Sequence, residues 1–381
     1  MHTIKIVNSI NEVHKEEWDA MVDDKVFISY GWLKTVEETF IGDVNSKYVL
    51  VQDSKKLIGA SVCYIFDETD IVYSLDNFMF GRFKKYAAKM GISFLPAFIC
   101  CPMRCYGKHF LIEKDADAET TGIIMDEILE TIEEEASERK LSVSLINVIE
   151  DEIELIELLN KRGYNKTLGF PLNYLDVEWS SFEGYKKHVG RISKNTKKSI
   201  KKEINKNRKE GVIIKQLENL GGYEDRLYEL VNNNYYKHNQ ILFPFNREFF
   251  KRLKENLGED VVTYISVKKE RLTGMSLLLK RNKVSYFSVI GIDHEMAGND
   301  FTYFNLGYYR PIMDAISDKT TRLYDGAGMY ELKARRGFKI SDTYIYYKSF
   351  NRIKNIALKP WYAFHSKWYE CKLPKGVRKR A

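Results

Sequence analysis

Long apolar runs are missing from this 381-residue chain, which excludes a transmembrane helix, since one needs about 20 such residues. A secretory leader is missing too. Met1-His2-Thr3-Ile4-Lys5-Ile6-Val7 starts like a strand, with no apolar stretch leading to a small-residue cleavage site. The cysteines number five and have no framework spacing. They exclude a disulfide scaffold and point to a reducing cytoplasm. Cys100, Cys101 and Cys105 lack a CxxC pair or nearby histidines and read as packing residues rather than metal ligands. The sequence contains no P-loop, no Ser-His-Asp elbow and no dinucleotide fingerprint, and His294-Glu295 has no HExxH frame. Neither a metal nor a permanently bound cofactor is expected.

What is present begins with a repeat. Lys56-Leu57-Ile58-Gly59-Ala60-Ser61-Val62 and Arg271-Leu272-Thr273-Gly274-Met275-Ser276-Leu277 share the pattern basic-Leu-x-Gly-x-Ser-aliphatic. Each follows an apolar run and a charged turn, so a strand, a tight turn and a second strand are written twice. A second echo sets Lys161-Arg162-Gly163-Tyr164 beside Arg335-Arg336-Gly337-Phe338, each glycine ending a helix-like segment. One α/β module has been duplicated. The aromatic stretch from about 71 to 110, with no clean period, accounts for the greater length of the first copy.

The chain is long enough for two cored domains, and 44% hydrophobic content with 30% charge marks a globular protein. The first module is expected over 1–180 and the second over 181–352, leaving a basic aromatic tail at 353–381. Leu172 to Trp179 should be the last strand of the first module, and Tyr344 to Tyr347 the closing strand of the second. A mixture of strands and helices in this order gives an α/β or α+β fold. The tail carries Trp361, Tyr362, Phe364, Trp368 and Tyr369. Packing on the body, stacking on a nucleic acid and contact with a membrane surface are all open to it.

Net charge is +7 and unevenly spread. Lys186 to Lys209 hold 11 Lys or Arg in 24 positions and one acid, Glu203. Val189, Ile192, Thr196, Ile200 and Ile204 recur beneath them at helical spacing, predicting one amphipathic helix. Its outer face, with Lys194, Lys197, Lys198, Lys201 and Lys202, is either a solvated surface or a binding surface for a polyanionic donor.

Three segments carry a family likeness: "WDAMVDDKVFISYGWLKTVEE", "FEGYKKHVGRISKNTKKSIKKEINKNRKEGVII" and "GYYRPIMDAISDKTTRLYDGAGMYELKARRGFKISDT". They resemble the tandem-GNAT, Fem-like acyl and aminoacyltransferases, in particular the branch labelled peptidoglycan biosynthesis or recognition protein. The resemblance covers roughly residues 10 to 355. It implies two GNAT-like modules (the acyl-CoA N-acyltransferase fold) and transfer of an acyl or aminoacyl group to an amine of a small or cell-wall-related acceptor. The pyrophosphate loop of acetyl-CoA users, Arg/Gln-x-x-Gly-x-Gly/Ala, is replaced in module two by the acid-bearing Asp293 to Asp300. That favours aminoacyl-tRNA or an acyl carrier protein over acyl-CoA as donor.

Two proton-moving groups of that branch are absent. Tyr303-Phe304-Asn305 stand where His-Phe-Glu is usual, and Leu332 replaces a His between Glu331 and Lys333. In the GNAT fold the chemistry lies where two parallel strands splay, here Val284 to Ile290 and Arg322 to Gly328. Asp325, Glu331 and Lys333 are the catalytic candidates: a carboxylate to accept the amine proton, and Lys333 to stabilise the oxyanion or leaving group. Opposed to this is a surface turn in which Glu331 merely pairs with Arg335. Asn305, Tyr309 and Arg336 are the substrate-binding candidates. The missing groups keep a second reading open, a non-catalytic protein that recognises nucleic acid or glycan precursors.

Overall fold

The computed structural model describes residues 2–42, 45–66, 75–89, 93–239 and 241–372. The chain opens with β1 (Thr3–Val7), α1 (Lys15–Met21) and α2 (Tyr30–Thr39), then the hairpin β2 (Asn45–Asp53) and β3 (Lys56–Phe66). Next come α3 (Leu75–Phe80), α4 (Lys84–Lys89), β4 (Ala97–Cys100), β5 (Phe110–Ile112), α5 (Ala118–Glu138), β6 (Ser142–Ile149), α6 (Ile153–Lys161) and β7 (Asn165–Leu168). There follow β8 (Leu172–Asp176), α7 (Phe182–Ile192), α8 (Lys194–Lys209), β9 (Ile213–Leu217), α9 (Glu224–Asn239) and α10 (Phe249–Leu257). The second hairpin is β10 (Val261–Lys268) and β11 (Arg271–Arg281), followed by β12 (Val284–Ile292) and α11 (His294–Ala297). Then α12 (Thr302–Phe304) runs through a π-helical turn (Asn305–Tyr309) into α13 (Arg310–Ser317). The chain closes with β13 (Arg322–Tyr324), α14 (Tyr330–Ala334), β14 (Lys339–Ser341), β15 (Thr343–Lys348), α15 (Arg352–Ala357) and α16 (Lys359–Lys372).

Two mixed sheets result, in the order β1-β2-β3-β4-β6-β15-β7, with β5 also on β3, and β14-β8-β13-β12-β11-β10-β9. They define two compact units. One comprises Met1–Glu37, Gly42–Pro171 and Ser341–Leu373; the other comprises Glu38–Ile41 and Leu172–Ile340. The expected boundaries at 180 and 352 therefore do not describe the packing. Strand β8 lies in the second sheet, and β15 lies in the first, between β6 and β7. Each strand's hydrogen-bond partners are distant in sequence, which no local pattern can report.

The two hairpins repeat each other down to the irregularity. Val51 pairs with Gly59 and Gln52 with Leu57, leaving Ile58 as a bulge. Ser266 pairs with Gly274 and Val267 with Leu272, leaving Thr273. Both turns place two residues at positive φ, Ser54 and Lys55 in one, Lys269 and Glu270 in the other, as a two-residue primed turn requires. The absent side chains matter equally. A Cβ on Gly59 would overlap Ile124 of α5, and one on Gly274 would lie 2.9 Å from Leu306 of the π-turn. In each unit the glycine lets the covering helix settle onto the sheet. Gly163 and Gly337 also match: the next residue's N–H returns to the carbonyl five back, Tyr164 to Leu159 and Phe338 to Lys333, closing α6 and α14 alike.

Two expectations change in detail. The basic segment is two helices rather than one, because Ser193 takes an extended conformation and its side chain caps Thr196 N–H, a trade that Ser makes readily. The stretch at 71–110 is not an irregular insertion, since it contributes β4 and β5 to the first sheet. The part of it at 71–74 and 90–92 lies outside the described residues.

Gly59→Ala should destabilise the protein by about 1–3 kcal/mol through overpacking against Ile124. Gly122→Ala, on the exposed face of α5 with nothing near its Cβ position, should stabilise by up to about 1 kcal/mol. Denaturant titration of the two variants checks the contrast.

Candidate functional site

Strands β12 and β13 run parallel for three residue pairs, Val284 with Arg322, Ser285 with Leu323 and Tyr286 with Tyr324. Beyond them β12 continues to Ile292 along β11, bulging at the register shift opposite Leu277 and Leu278. The other chain turns away. Asp325 N–H donates to Asn173 O of β8 (2.9 Å), and the Asn173 amide donates to the Gly326 and Gly328 carbonyls (2.7 and 3.1 Å). The strands part here, as a GNAT-like site requires.

At the parted end of β12 lies a cleft of about 790 Å³. Ile290 and Ile292 of β12 form one wall, Asn234 and His238 of α9 another, and His294 of α11 the rim. Phe301, Tyr303, Phe304 and Met329 supply aromatic and thioether surface, and Lys206 of α8 reaches the opposite rim. Gly291 brings the α9 wall close, because a Cβ there would stand 2.6 Å from Val231 N. Phe301 and Met329 adopt left-handed backbone, with φ of 63° and 50°, which is uncommon for large side chains and is met at functional sites. The π-turn after α12 is another such local departure.

Asn234 fixes the state of the rim imidazole. Its Nδ2 donates to the Ile290 carbonyl (3.1 Å), so its Oδ1 faces His294 Nε2 at 3.2 Å. An amide oxygen only accepts. Nε2 therefore carries the hydrogen in the neutral ring, and the lone pair falls on Nδ1. Burial, followed by the charges of Lys237 and His238, holds the His294 pKa below the usual imidazole value. The Tyr303 phenol moves the other way: burial, then the neighbouring Asp325 charge, raises it against a hydrogen bond with Tyr308. The cleft thus combines a ring that stays neutral with a phenol that keeps its proton.

The catalytic candidates separate. Asp325 and Lys333 do come together: the Lys333 ammonium donates to the Asp325 carbonyl and lies 3.3 Å from its Oδ2. Both are buried, at 8% and 5% exposure, and neither lines the cleft. Lys333, though it stands on a short helix, is thus a buried cation. Burial raises the Asp325 carboxyl to about 6, with Lys333 working against that shift. Glu331 is apart from them. It is exposed and pairs with Arg335 one turn along, a surface contact worth at most about 1 kcal/mol.

The substrate-binding candidates form a brace. Arg336 reaches Glu203 Oε2 (3.3 Å) and the Tyr309 hydroxyl (3.2 Å), and that hydroxyl donates to Glu203. The Asn305 amide donates to the Phe301 carbonyl (2.9 Å) and, at 3.4 Å, to that of Glu203. The guanidinium lies 4.6 Å over the Phe304 ring. The single acid of the basic stretch therefore points inward and ties α8 to the π-turn and to the residues just after α14. Phe304, the aromatic under this brace, lines the cleft.

On the outer face of α8, Lys194, Lys198, Lys201 and Lys202 are exposed and Lys197 is half-buried, its stem lying over Gly190 of α7. Among the described residues none of these five is in an ion pair at a carboxylate. Lys198, Lys202 and Lys206 follow each other at i, i+4 along one face. The last of them sits 5.5 Å over the Phe301 ring, inside the cleft rim. The acids of the 293–300 loop are partly neutralised: Asp293 pairs with Arg226 (2.8 Å) and Asp300 with Lys268 (3.1 Å). Sequence reasoning missed Lys206, Asn234 and His238 and passed over His294 as a loop residue. The i, i+4 spacing of Asn234 and His238 on one face of α9 was the available signal.

The corresponding gap in the first unit is closed. Strands β4 and β6 pair in parallel from Ala97 with Ser142 to Cys100 with Leu145, and the chain beyond Cys100 fills what opens. The Asn147 amide donates to the Cys105 carbonyl (2.9 Å), Gly107 N–H to the Asn147 carbonyl (3.0 Å), and His109 Nε2 lies 2.7 Å from the Ile146 carbonyl. Glu152 bonds the other His109 nitrogen (2.9 Å) and, against the effect of burial, raises the imidazole pKa. The four described cysteines are buried in this unit.

Two tandem α/β units, one with an open strand splay and one with a filled splay, define a GNAT-like tandem protein. Residues 9–367 match the peptidoglycan biosynthesis/recognition family, FemAB-like, and the chain belongs to that family. Among solved structures, FemX superposes with a TM-score of 0.58 at 9% identity, over 93% of this chain and 100% of that one. The C-terminal domain of a putative lysylphosphatidylglycerol synthetase from Agrobacterium fabrum gives 0.56 at 10% identity, over 92% and 95%. A tandem GNAT protein from the clavulanic acid biosynthesis pathway gives 0.49 at 10%, over 91% and 98%. At these identities the likeness is one of fold. No curated protein sequence matches the chain.

The Asp325–Lys333 pair has a testable pH signature. The folded carboxyl, at about 6, holds its proton more tightly than the unfolded one near 4. This group's contribution is therefore most favourable below pH 4 and falls by roughly 3 kcal/mol as pH rises to 6, then stays flat. Lys333→Met removes the opposing cation and should move the Asp325 titration further upward. Carboxyl-selective NMR titration of wild type and variant measures both. Lys333→Ala should also lower stability by a few kcal/mol, since it leaves a buried carboxylate without its cation.

Proposed function

We propose that the chain is an amide-forming acyltransferase of peptidoglycan metabolism, with its chemistry in the second unit and a donor carried on a polyanion. The observation that supports this reading most is the row Lys198–Lys202–Lys206, which runs along α8 and ends in the cleft at the strand splay. A phosphodiester chain would lie along the row, its acyl terminus entering between β12 and the aromatic wall. Aminoacyl-tRNA and an acyl carrier protein are both donors that such a row of cations would hold. No cofactor is needed beyond the donor.

In the reaction the acceptor amine attacks the donor carbonyl, the carbonyl electrons move to oxygen, and they return as the ester or thioester bond breaks. Main-chain groups of β12 beyond Tyr286, where β13 has left, are suited to hold the oxyanion. His294 Nδ1 accepts the amine proton, with Asn234 fixing the tautomer. Tyr303, its acidity suppressed by burial and by Asp325, gives its proton to the leaving group and regains one from solvent as the His294 imidazolium sheds the amine's. Groups pushed in opposite directions are how one site supplies both base and acid. Lys333 acts at one remove, holding the turn after β13 in place.

The test is a donor panel of aminoacyl-tRNA, acyl carrier protein and acyl-CoA, each offered with a UDP-linked muropeptide amine. Transfer from a polyanionic donor should be lost when Lys198, Lys202 and Lys206 are changed to Glu, with binding that weakens steeply as salt rises. His294→Gln should lower turnover by about 10²–10⁴-fold with little change in KM, and should abolish the acid limb of the pH profile. If a donor binds in a salt-dependent way but no product forms with any amine, the non-catalytic recognition reading replaces this one.

A further inference from the structure

The helices at one edge of the first unit carry large apolar side chains that remain substantially exposed. Helix α16 covers the edge strand β7 through one side only. The Thr167 hydroxyl lies 2.9 Å from the Ser366 hydroxyl and donates to the Tyr362 carbonyl (3.1 Å), Leu168 N–H donates to Ser366 (2.9 Å), and Tyr369 meets the Phe170 ring. Asn165 likewise pins α15 through Asn355. The outward side shows Phe364 (57% exposed) and Trp368 (43%) on α16, with Ile353 (81%) and Ile356 (54%) on α15. The α3–α4 segment joins through the Phe80–Trp361 ring contact at 5.5 Å and adds Phe83 and Tyr86, both 69% exposed. Single exposed apolar residues are ordinary; six of them on helical segments that adjoin one another are not.

The charges on the same elements are of one kind. Lys85, Lys89, Arg352, Lys359 and Lys367 are exposed, whereas Glu370 is the one exposed acid on these helices among the described residues. Aromatic and aliphatic side chains set among Lys and Arg match the boundary between headgroups and acyl chains of an anionic bilayer. A second copy of this chain fits poorly, because a two-fold contact would bring the same cations face to face. The aromatic rings alone would also suit nucleic acid, but Ile353, the most exposed of the six, and Ile356 are aliphatic and gain from burial in acyl chains rather than against bases. We infer that α3–α4 and α15–α16 form a peripheral docking face for anionic lipid membranes. This inference is independent of the acyl-transfer reading.

Vesicle flotation tests it, comparing equal-part phosphatidylcholine–phosphatidylglycerol vesicles with phosphatidylcholine alone. The wild-type chain should bind the anionic vesicles at least about tenfold more tightly, and the preference should shrink as salt rises. Lys85→Glu, Lys89→Glu, Lys359→Glu and Lys367→Glu together should remove the preference. Phe83→Ser, Tyr86→Ser, Phe364→Ser and Trp368→Ser together should remove binding, with an unchanged melting temperature showing that the fold survives. Lys198→Glu with Lys202→Glu should leave flotation as it is. Equal binding to both vesicles, no binding, or loss only through the α8 variant overturns the proposal. So does a dimer in solution that the serine variant dissociates while vesicles are ignored.

Discussion

The second unit depends on a parallel pairing that stops after three residues. Were β13 to follow β12 to its end, no space would remain at Ile290 and Ile292, and the sheet would be closed. What turns β13 away is polar. Asn173 of β8 takes both the Asp325 N–H and the carbonyls of Gly326 and Gly328, and Lys333 holds Asp325 from the other side. A buried ion pair contributes little net stability once desolvation is counted. This pair instead fixes where the chain leaves the sheet.

Against that frame the two units show opposite uses of one plan. Both have the hairpin with its bulge, the glycine under the covering helix and the glycine closing the last helix. In the first, residues after Cys100 fold back into the splay and satisfy its polar groups with their own backbone and with His109. In the second the corresponding space stays open and is lined by side chains drawn from α8, α9, β12, the segment from α11 to α12 and Met329. One plan thus serves twice, filled in the first unit and open as a cleft in the second.

The sequence made the local features plain. Gly59 and Gly274, the turn residues beside them, and Gly163 and Gly337 could be placed because each obeys a short-range steric rule. The strand splay followed from the family likeness. The burial of Lys333 was not legible, because helix position says nothing about what packs on top of a side chain. Glu203, read as a lone acid in a basic run, became the centre of a brace because Arg336 lies far along the chain. Asn234, His238 and His294 converge only once α9 crosses β12 at Gly291, a contact with no local signature. The membership of β8 and β15 was invisible for the same reason.

That exchange of strands has a consequence for how the protein is made. The ribosome releases β6 and β7 long before Thr343–Lys348, the strand that must lie between them, has been synthesised. Until then the first sheet has an open slot, and the two strands bordering it have only one neighbour or none. The segment that finishes it emerges only after the whole of the second sheet. The nascent chain therefore cannot complete its halves in order: a gene fragment covering 1–180 encodes a first sheet without β15, and one covering 181–352 a second sheet without β8. Duplicated ancestry notwithstanding, neither half remains a cassette that could be moved alone into another protein.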